Sequence, residues 1–235
     1  MPIFNTPLHM NDYFIKNGYQ CNLDGKGGAI PFDDDETSAA TYQVKVYRFA
    51  AELIRRHQLQ TVLDIGCGYG LKLKEIIYPV CKNIVGIDRE HAVNYCVQNH
   101  HFGKWHEDDI DNPSLVFKDT FDLIIVSDVI EHLVNPDKLL DYIKQHSNRD
   151  TYIIVSTPER DVIHGKKSIG PPRNRAHVRE WNRTEFRNYF HSSGLGIVKH
   201  FMIGEAGLSI VQIFRNVVRR RPLKKCQVVL CHVIQ

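Results

Sequence analysis

The sequence predicts an α/β fold, a mostly parallel sheet with helices on both faces, and three observations carry that prediction. Short β-rich apolar runs recur at residues 61–65, 83–88, 121–127 and 151–156. Stretches with helical spacing fill the gaps between them. A glycine-rich turn, Gly66-Cys67-Gly68-Tyr69-Gly70, stands between the first run and the helix that follows it. Strand, helix, strand in repetition calls for parallel pairing, because each strand then needs a crossover to return to the same edge.

Taken in order, residues 1–37 show no convincing period. They contain Asp24-Gly25-Lys26-Gly27-Gly28 and the acidic run Asp33-Asp34-Asp35-Glu36, and they read as an N-terminal lid or extension ahead of one domain over residues 38–235. Residues 41–56 place Val46, Ala50, Leu53 and Ile54 at helical spacing, which predicts a leading helix packed on the sheet. Helices over 71–78 and 91–99 follow the first two strands, and a third strand is expected ahead of Asp109. Residues 135–146 carry Asn135 as an N-cap, Pro136 at the first helical position and Leu139, Leu140 and Ile143 on one face. Residues 158–183 form a long polar insertion, and connections of that length inside a domain tend to be functional. Asn182 and Glu185 then match a capping box, with Trp181 and Phe186 spaced as a hydrophobic staple, for a helix that stops at Gly194. Closing strands are expected at 196–203 and 227–234, with a helix over 208–218 between them.

A chain of 235 residues with 43% hydrophobic content buries a core large enough to need neither disulfides nor a structural metal. Six cysteines form no CxxC pair, and the start Met1-Pro2-Ile3-Phe4 lacks a basic-then-apolar leader, so reduced thiols and a cytoplasmic address are expected. No apolar run reaches the ~18–20 residues that span a bilayer. Secreted, disulfide-framed and membrane-spanning classes are thereby excluded.

The glycine turn lets a ligand approach the backbone while free N–H groups at the helix start face it, although an ordinary tight turn has the same composition. Context favours the ligand loop. The second strand ends at Asp88 followed by Arg89, where an acid accepts hydrogen bonds from both hydroxyls of a ribose. Asp109 and Ile110 follow the third strand, where either an adenine contact or a solvated turn residue fits. On Val62–Gly70, Ile84-Val85-Gly86-Ile87-Asp88 and the fourth-strand motif Phe121–Asp128, the chain resembles the class I, Rossmann-like S-adenosylmethionine-dependent methyltransferases. That resemblance covers about residues 40–235. It implies a seven-stranded sheet with an antiparallel last strand, and S-adenosyl-L-methionine bound by Asp64, Gly66, Gly68, Asp88, Arg89, Asp109, Ile110 and Ser127. A nicotinamide-dependent dehydrogenase would want GxGxxG, whereas the loop here is GxGxGx preceded by Asp64. An acid suits a cofactor with a sulfonium and an amino group better than it suits a pyrophosphate.

In Ser127-Asp128-Val129-Ile130-Glu131-His132, a helical bend after the strand would set Asp128, Glu131 and His132 at i, i+3 and i+4, facing one way. Two carboxylates and an imidazole suit Mg²⁺ or a similar divalent cation. They equally suit a loop organiser or a general base, a role open to Asp128, His132 and His177. His177, ahead of Glu180-Trp181, completes a pattern similar to the small-RNA 3′-terminal 2′-O-methyltransferases, and the first half is shared with ubiquinone-type O-methyltransferases. That resemblance implies a quartet of Asp128, Glu131, His132 and His177 around Mg²⁺. The chain departs from it in having Asp128 where those families have Glu.

The net charge of +3 conceals two basic segments. Residues 160–187 hold eight basic residues (Arg160, Lys166, Lys167, Arg173, Arg175, Arg179, Arg183 and Arg187) against three acids, and residues 215–225 hold six with none. A solvated face is one reading; a rim for an anionic small molecule is the other. The stretch 160–179 has no aromatic residue for stacking bases, which argues against a nucleic-acid partner. The expected activity is O-methylation of a sugar or another small polyol, with a metal assisting. An RNA 3′-ribose methyltransferase and a non-catalytic cofactor-binding protein are the alternatives.

Overall fold

The computed structural model describes residues 13–23, 43–204, 218 and 225–234. Seven strands form one sheet in the order β3-β2-β1-β4-β5-β7-β6. They are β1 (Thr61–Ile65), β2 (Asn83–Asp88), β3 (Lys104–Glu107), β4 (Leu123–Ser127), β5 (Tyr152–Pro158), β6 (Leu195–Ile203) and β7 (Cys226–Val233). Only β7 runs against its neighbours, pairing antiparallel with both β5 and β6. The strand order reverses direction between β1 and β4, so the carboxyl ends of those strands open the crevice where doubly wound sheets bind ligands. The Rossmann-like mixed sheet expected from the sequence is the fold observed.

Every residue of β4 is buried, which explains its continuous apolar run: helices cover both faces. The leading helix, α1 (Val44–His57), buries Val46, Tyr47, Ala50, Ala51, Leu53 and Ile54 on one side of the sheet. The segment after the glycine loop, α2 (Leu73–Ile77), is wound with π-type rather than α-type hydrogen bonds. α3 (Glu90–Asn99) follows β2, and α4 (Pro136–Gln145) starts at Asn135, whose side chain accepts from the Asp137 N–H at 3.2 Å. No helix among the described residues is long and apolar enough to cross a membrane.

The insertion departs from the polar connection expected. It contains a short helix, α5 (Arg160–His164), and a bridge between Glu159 and Trp181, and it buries Ala176, Val178 and Trp181. Arg160 is fully buried, with Nη1 and Nη2 on the Glu185 carboxylate at 2.7 and 2.8 Å. Arg179 gives its guanidinium to the carbonyls of Leu133 and Val134 at 2.9 and 2.8 Å. Two of the eight basic residues counted as a solvated or substrate-facing set are therefore internal cross-links. Lys166, Lys167, Arg173, Arg175, Arg183 and Arg187 remain exposed. α6 (Arg183–Ser192) has the expected capping box between Asn182 and Glu185, and the Trp181 and Phe186 rings meet at 5.7 Å.

Residues 13–23, taken from sequence as lid material, pack into the core as a strap. Tyr13, Ile15 and Tyr19 are buried, and the Trp181 indole N–H donates to the Tyr13 carbonyl at 3.0 Å. The Asn22 side-chain amide donates to the carbonyls of Pro172, Asn174 and His177 at 3.1, 3.3 and 3.0 Å. The helix expected over 208–218 and the basic run 215–225 lie, apart from Val218 and Lys225, outside the described residues.

Candidate active site

The glycine loop caps β1 and leans on β2. Gly66 and Cys67 donate their N–H groups to the Ile87 carbonyl at 2.8 and 3.1 Å. Gly66 has φ +79°, and a Cβ there would come within 2.3 Å of the Val129 side chain, so only glycine fits. Gly68, at φ +55°, has nothing within 4 Å of an added Cβ, so its side of the loop faces open space. Its N–H donates to Asp88 Oδ2 at 2.7 Å, while Asp88 Oδ1 accepts from the Arg89 N–H at 2.8 Å. Each carboxylate oxygen keeps a second acceptor site for a hydroxyl.

Asp64 lies fully buried in β1 beneath α1, where Oδ2 accepts from the Tyr47 hydroxyl at 2.8 Å and Oδ1 has no hydrogen-bond partner. Burial pushes its carboxyl up to about 7, against the Tyr47 hydrogen bond and the Lys72 charge. Asp109 is exposed and its Oδ1 accepts from the Asp111 N–H at 3.1 Å. Its neighbour Asp108 is spent on folding the loop, accepting from the N–H groups of Ser114 and Leu115. Ile110 packs against the core, and the Arg89 side chain lies at the surface. Ser127 is buried with its hydroxyl 3.0 Å from that of Ser156, so its side chain is committed to β5 rather than turned to the crevice.

Beyond β4 the chain makes one 3-10 turn, Ile130–His132. Glu131, His132 and His177 come together there, with one ligand atom from each lying within 4.8 Å of the others. Asp128 does not join them. It takes the left-handed conformation, φ +53°, ahead of the turn, so the helical i, i+3, i+4 relation assumed from sequence never forms. Its carboxylate instead accepts from the Gln43 amide at 2.7 Å and the Ser156 hydroxyl at 2.7 Å.

The three remaining groups fit a cation by chemistry. Glu131 is fully buried; Oε2 accepts from the Thr157 hydroxyl at 2.9 Å and Oε1 has no hydrogen-bond partner. Burial, with the Asp128 charge behind it, holds its carboxyl well above the usual range, as expected of an acid lacking a counter-charge. His132 Nδ1 lies 3.0 Å from the Ala176 carbonyl, which places its proton on Nδ1 and the lone pair on Nε2. Burial first and His177 second lower its imidazole to about 3, so it is neutral at physiological pH, the form that binds metals. The two imidazole rings meet edge to face at 4.7 Å.

Sequence reasoning missed Thr157, Gln43, Glu180 and His164. Thr157 follows Ser156 at the carboxyl end of β5, and Glu180 stands three residues after His177; both had a positional signal. His164 and Gln43 had none.

The methyltransferase-domain family matches residues 38–200. The small RNA 2′-O-methyltransferase of Mus musculus is 28% identical over 167 residues, covering 61% of this chain and 40% of the relative, and that of Rattus norvegicus matches to the same extent. The chain thus spans about two fifths of the length of these curated relatives. Among solved structures, an S-adenosylmethionine-dependent methyltransferase from Clostridium acetobutylicum superposes with TM-score 0.59 at 12% identity, over 86% of this chain and 94% of the other. The plantazolicin methyltransferase BpumL, in complex with SAH, superposes with TM-score 0.56 at 17% identity, over 81% and 83%. At these identities the likeness is one of fold.

Proposed function

The chain belongs to the methyltransferase-domain family as an S-adenosylmethionine-dependent enzyme, and we propose that it methylates an oxygen of a vicinal diol with a divalent cation assisting. The observation that carries this reading is the convergence of Glu131, His132 and His177 at the carboxyl end of β4. In the cofactor crevice, Asp88 would take the ribose hydroxyls and Asp109, beside Ile110, the adenine edge. The open side of Gly68 would admit the cofactor to the backbone, and the unpartnered Asp64 Oδ1 would accept from its amino group. Glu131 Oε1 and one nitrogen of each histidine would hold the cation. When bound, Mg²⁺ or a similar ion supplies positive charge that favours ionisation of a nearby hydroxyl. With Nδ1 of each imidazole engaged by Ala176 or Glu180 and the other nitrogen on the cation, neither ring would be available as the general base.

The curated relatives, small RNA 2′-O-methyltransferases, favour the 2′-hydroxyl of an RNA ribose, and at a 3′ end the 2′ and 3′ hydroxyls would form such a diol. A small sugar is the second reading, favoured by the exposed rim of Lys166, Lys167, Arg173 and Arg175, which contains no aromatic residue on which bases would stack. The six cysteines are all free thiols, consistent with a cytoplasmic setting. The test is methyl transfer from labelled S-adenosylmethionine to short RNAs ending in a 2′,3′-diol or a 3′-phosphate, and to free glycosides, each with and without a chelator. Transfer only to diol acceptors, abolished by the chelator, is expected. Equal transfer to the 3′-phosphate RNA, or indifference to the chelator, overturns the reading.

A further inference from the structure

We propose that Glu180 and His164 are positioning residues for His177, fixing which of its ring nitrogens faces Glu131 and His132. Glu180 is 2% exposed and carries its carboxylate between two imidazoles. Oε1 is hydrogen-bonded to His177 Nδ1 at 2.7 Å, while Oε2, which has no hydrogen-bond partner, lies at ion-pair distance, 2.9 Å, from His164 Nε2. A carboxylate oxygen accepts and does not donate, so the proton of neutral His177 sits on Nδ1 and the lone pair on Nε2.

The backbone of Glu180 is itself clamped. Its N–H donates to the Tyr19 hydroxyl at 3.0 Å, and its carbonyl accepts from Arg160 Nη1 at 3.2 Å. His164 closes α5, so the first helix of the insertion reaches the site through Glu180. His132 is oriented differently, by the Ala176 carbonyl. A neutral carbonyl therefore sets one ring and a carboxylate the other. Such outer partners of metal-binding histidines typically contribute 10–100-fold in metal affinity.

The proposal rests on reading the cluster as a metal site, but its first readout does not. In the intact, metal-free protein, nitrogen-15 spectra of the histidine rings should show the His177 proton on Nδ1, and in Glu180→Gln a shift of that proton toward Nε2. Titrated with Mn²⁺ alone, Glu180→Gln should bind about 10–100-fold more weakly than wild type, with S-adenosylhomocysteine affinity unchanged. His164→Gln keeps a polar N–H group beside Oε2 and should stay close to wild type, whereas His164→Leu leaves that oxygen against an apolar side chain and should weaken Mn²⁺ binding. If Glu180→Gln does not fold, the two His164 variants carry the comparison. An unchanged tautomer with unchanged Mn²⁺ affinity in Glu180→Gln, or equal Mn²⁺ affinity in both His164 variants, overturns the proposal. Should the wild type take up no Mn²⁺, the metal reading fails, while the tautomer spectra still decide the positioning claim.

Discussion

Asp64 and Glu131 are both carboxylates without exposed surface, each with one oxygen lacking a hydrogen-bond partner. Such groups cost stability whenever they ionise alone. For Asp64 the sign is clear: its folded value of about 7 lies above the ordinary 3.8, so the folded state holds a proton that the unfolded state has released. Its contribution is fully present below about pH 4 and is lost as pH rises toward about 7, by at most about 1.4 kcal/mol per pH unit. Urea midpoints of wild type and Asp64→Asn across that window should diverge, the variant lacking this part of the slope. The two loop glycines separate stability from binding. Gly66→Ala meets Val129 as well as an unfavourable φ and should cost roughly 2–4 kcal/mol in urea unfolding. Gly68→Ala should cost only roughly 1–2 kcal/mol, yet place a methyl group where S-adenosylhomocysteine would lie, which calorimetric titration would read as lost affinity. Gly66, Gly68 and Asp88 are legible in sequence because backbone freedom and strand-end position need no tertiary information. The fate of Asp128 is not, since only the folded neighbours Gln43 and Ser156 reveal where its carboxylate goes.

At the scale of elements, α6 shows how one residue serves two levels of structure. Glu185 completes the capping box through the Asn182 N–H and also neutralises the fully buried Arg160. Asn182→Ala removes a cap and should cost about 1 kcal/mol. Glu185→Ala strands a buried guanidinium beside Asp161 alone and should cost about 3–5 kcal/mol, so chemical denaturation of the two variants should separate cap from charge pair. Comparable losses would show that Arg160 finds other partners. The cap was visible in the sequence because it is local. The charge pair spans 25 residues and was read instead as two members of a charged surface. The same holds for α2, where the periodicity gave a helix but could not distinguish α-type from π-type winding, and for residues 158–183, where buried arginines carry the same letters as exposed ones.

Across the whole molecule, the site depends on segments far apart in sequence. The sheet places β1, β2 and β4 so that the glycine loop, Asp88 and Glu131 share one edge, an arrangement that alternating strands and helices made legible from the start. The strap over residues 13–23 was not legible, because its one local signal, the Asn17-Gly18 turn, says nothing of what the segment packs on, and it gains its order from Trp181 and Tyr189. Asn22→Ala removes three donor contacts to the backbone that carries His177 and should cost about 1–2 kcal/mol. It should weaken Mn²⁺ binding while leaving S-adenosylhomocysteine binding intact, since Asn22 holds the backbone around His177 and touches none of the residues proposed to hold the cofactor. Equal loss of both would mean that the strap supports the entire edge. The strap also imposes a timetable. Its partners Glu180, Trp181 and Glu185 lie about 160 residues downstream, so at ribosomal speeds Tyr13 and Tyr19 wait on the order of ten seconds for them. The cluster around His177 can close only after nearly two hundred residues have been made.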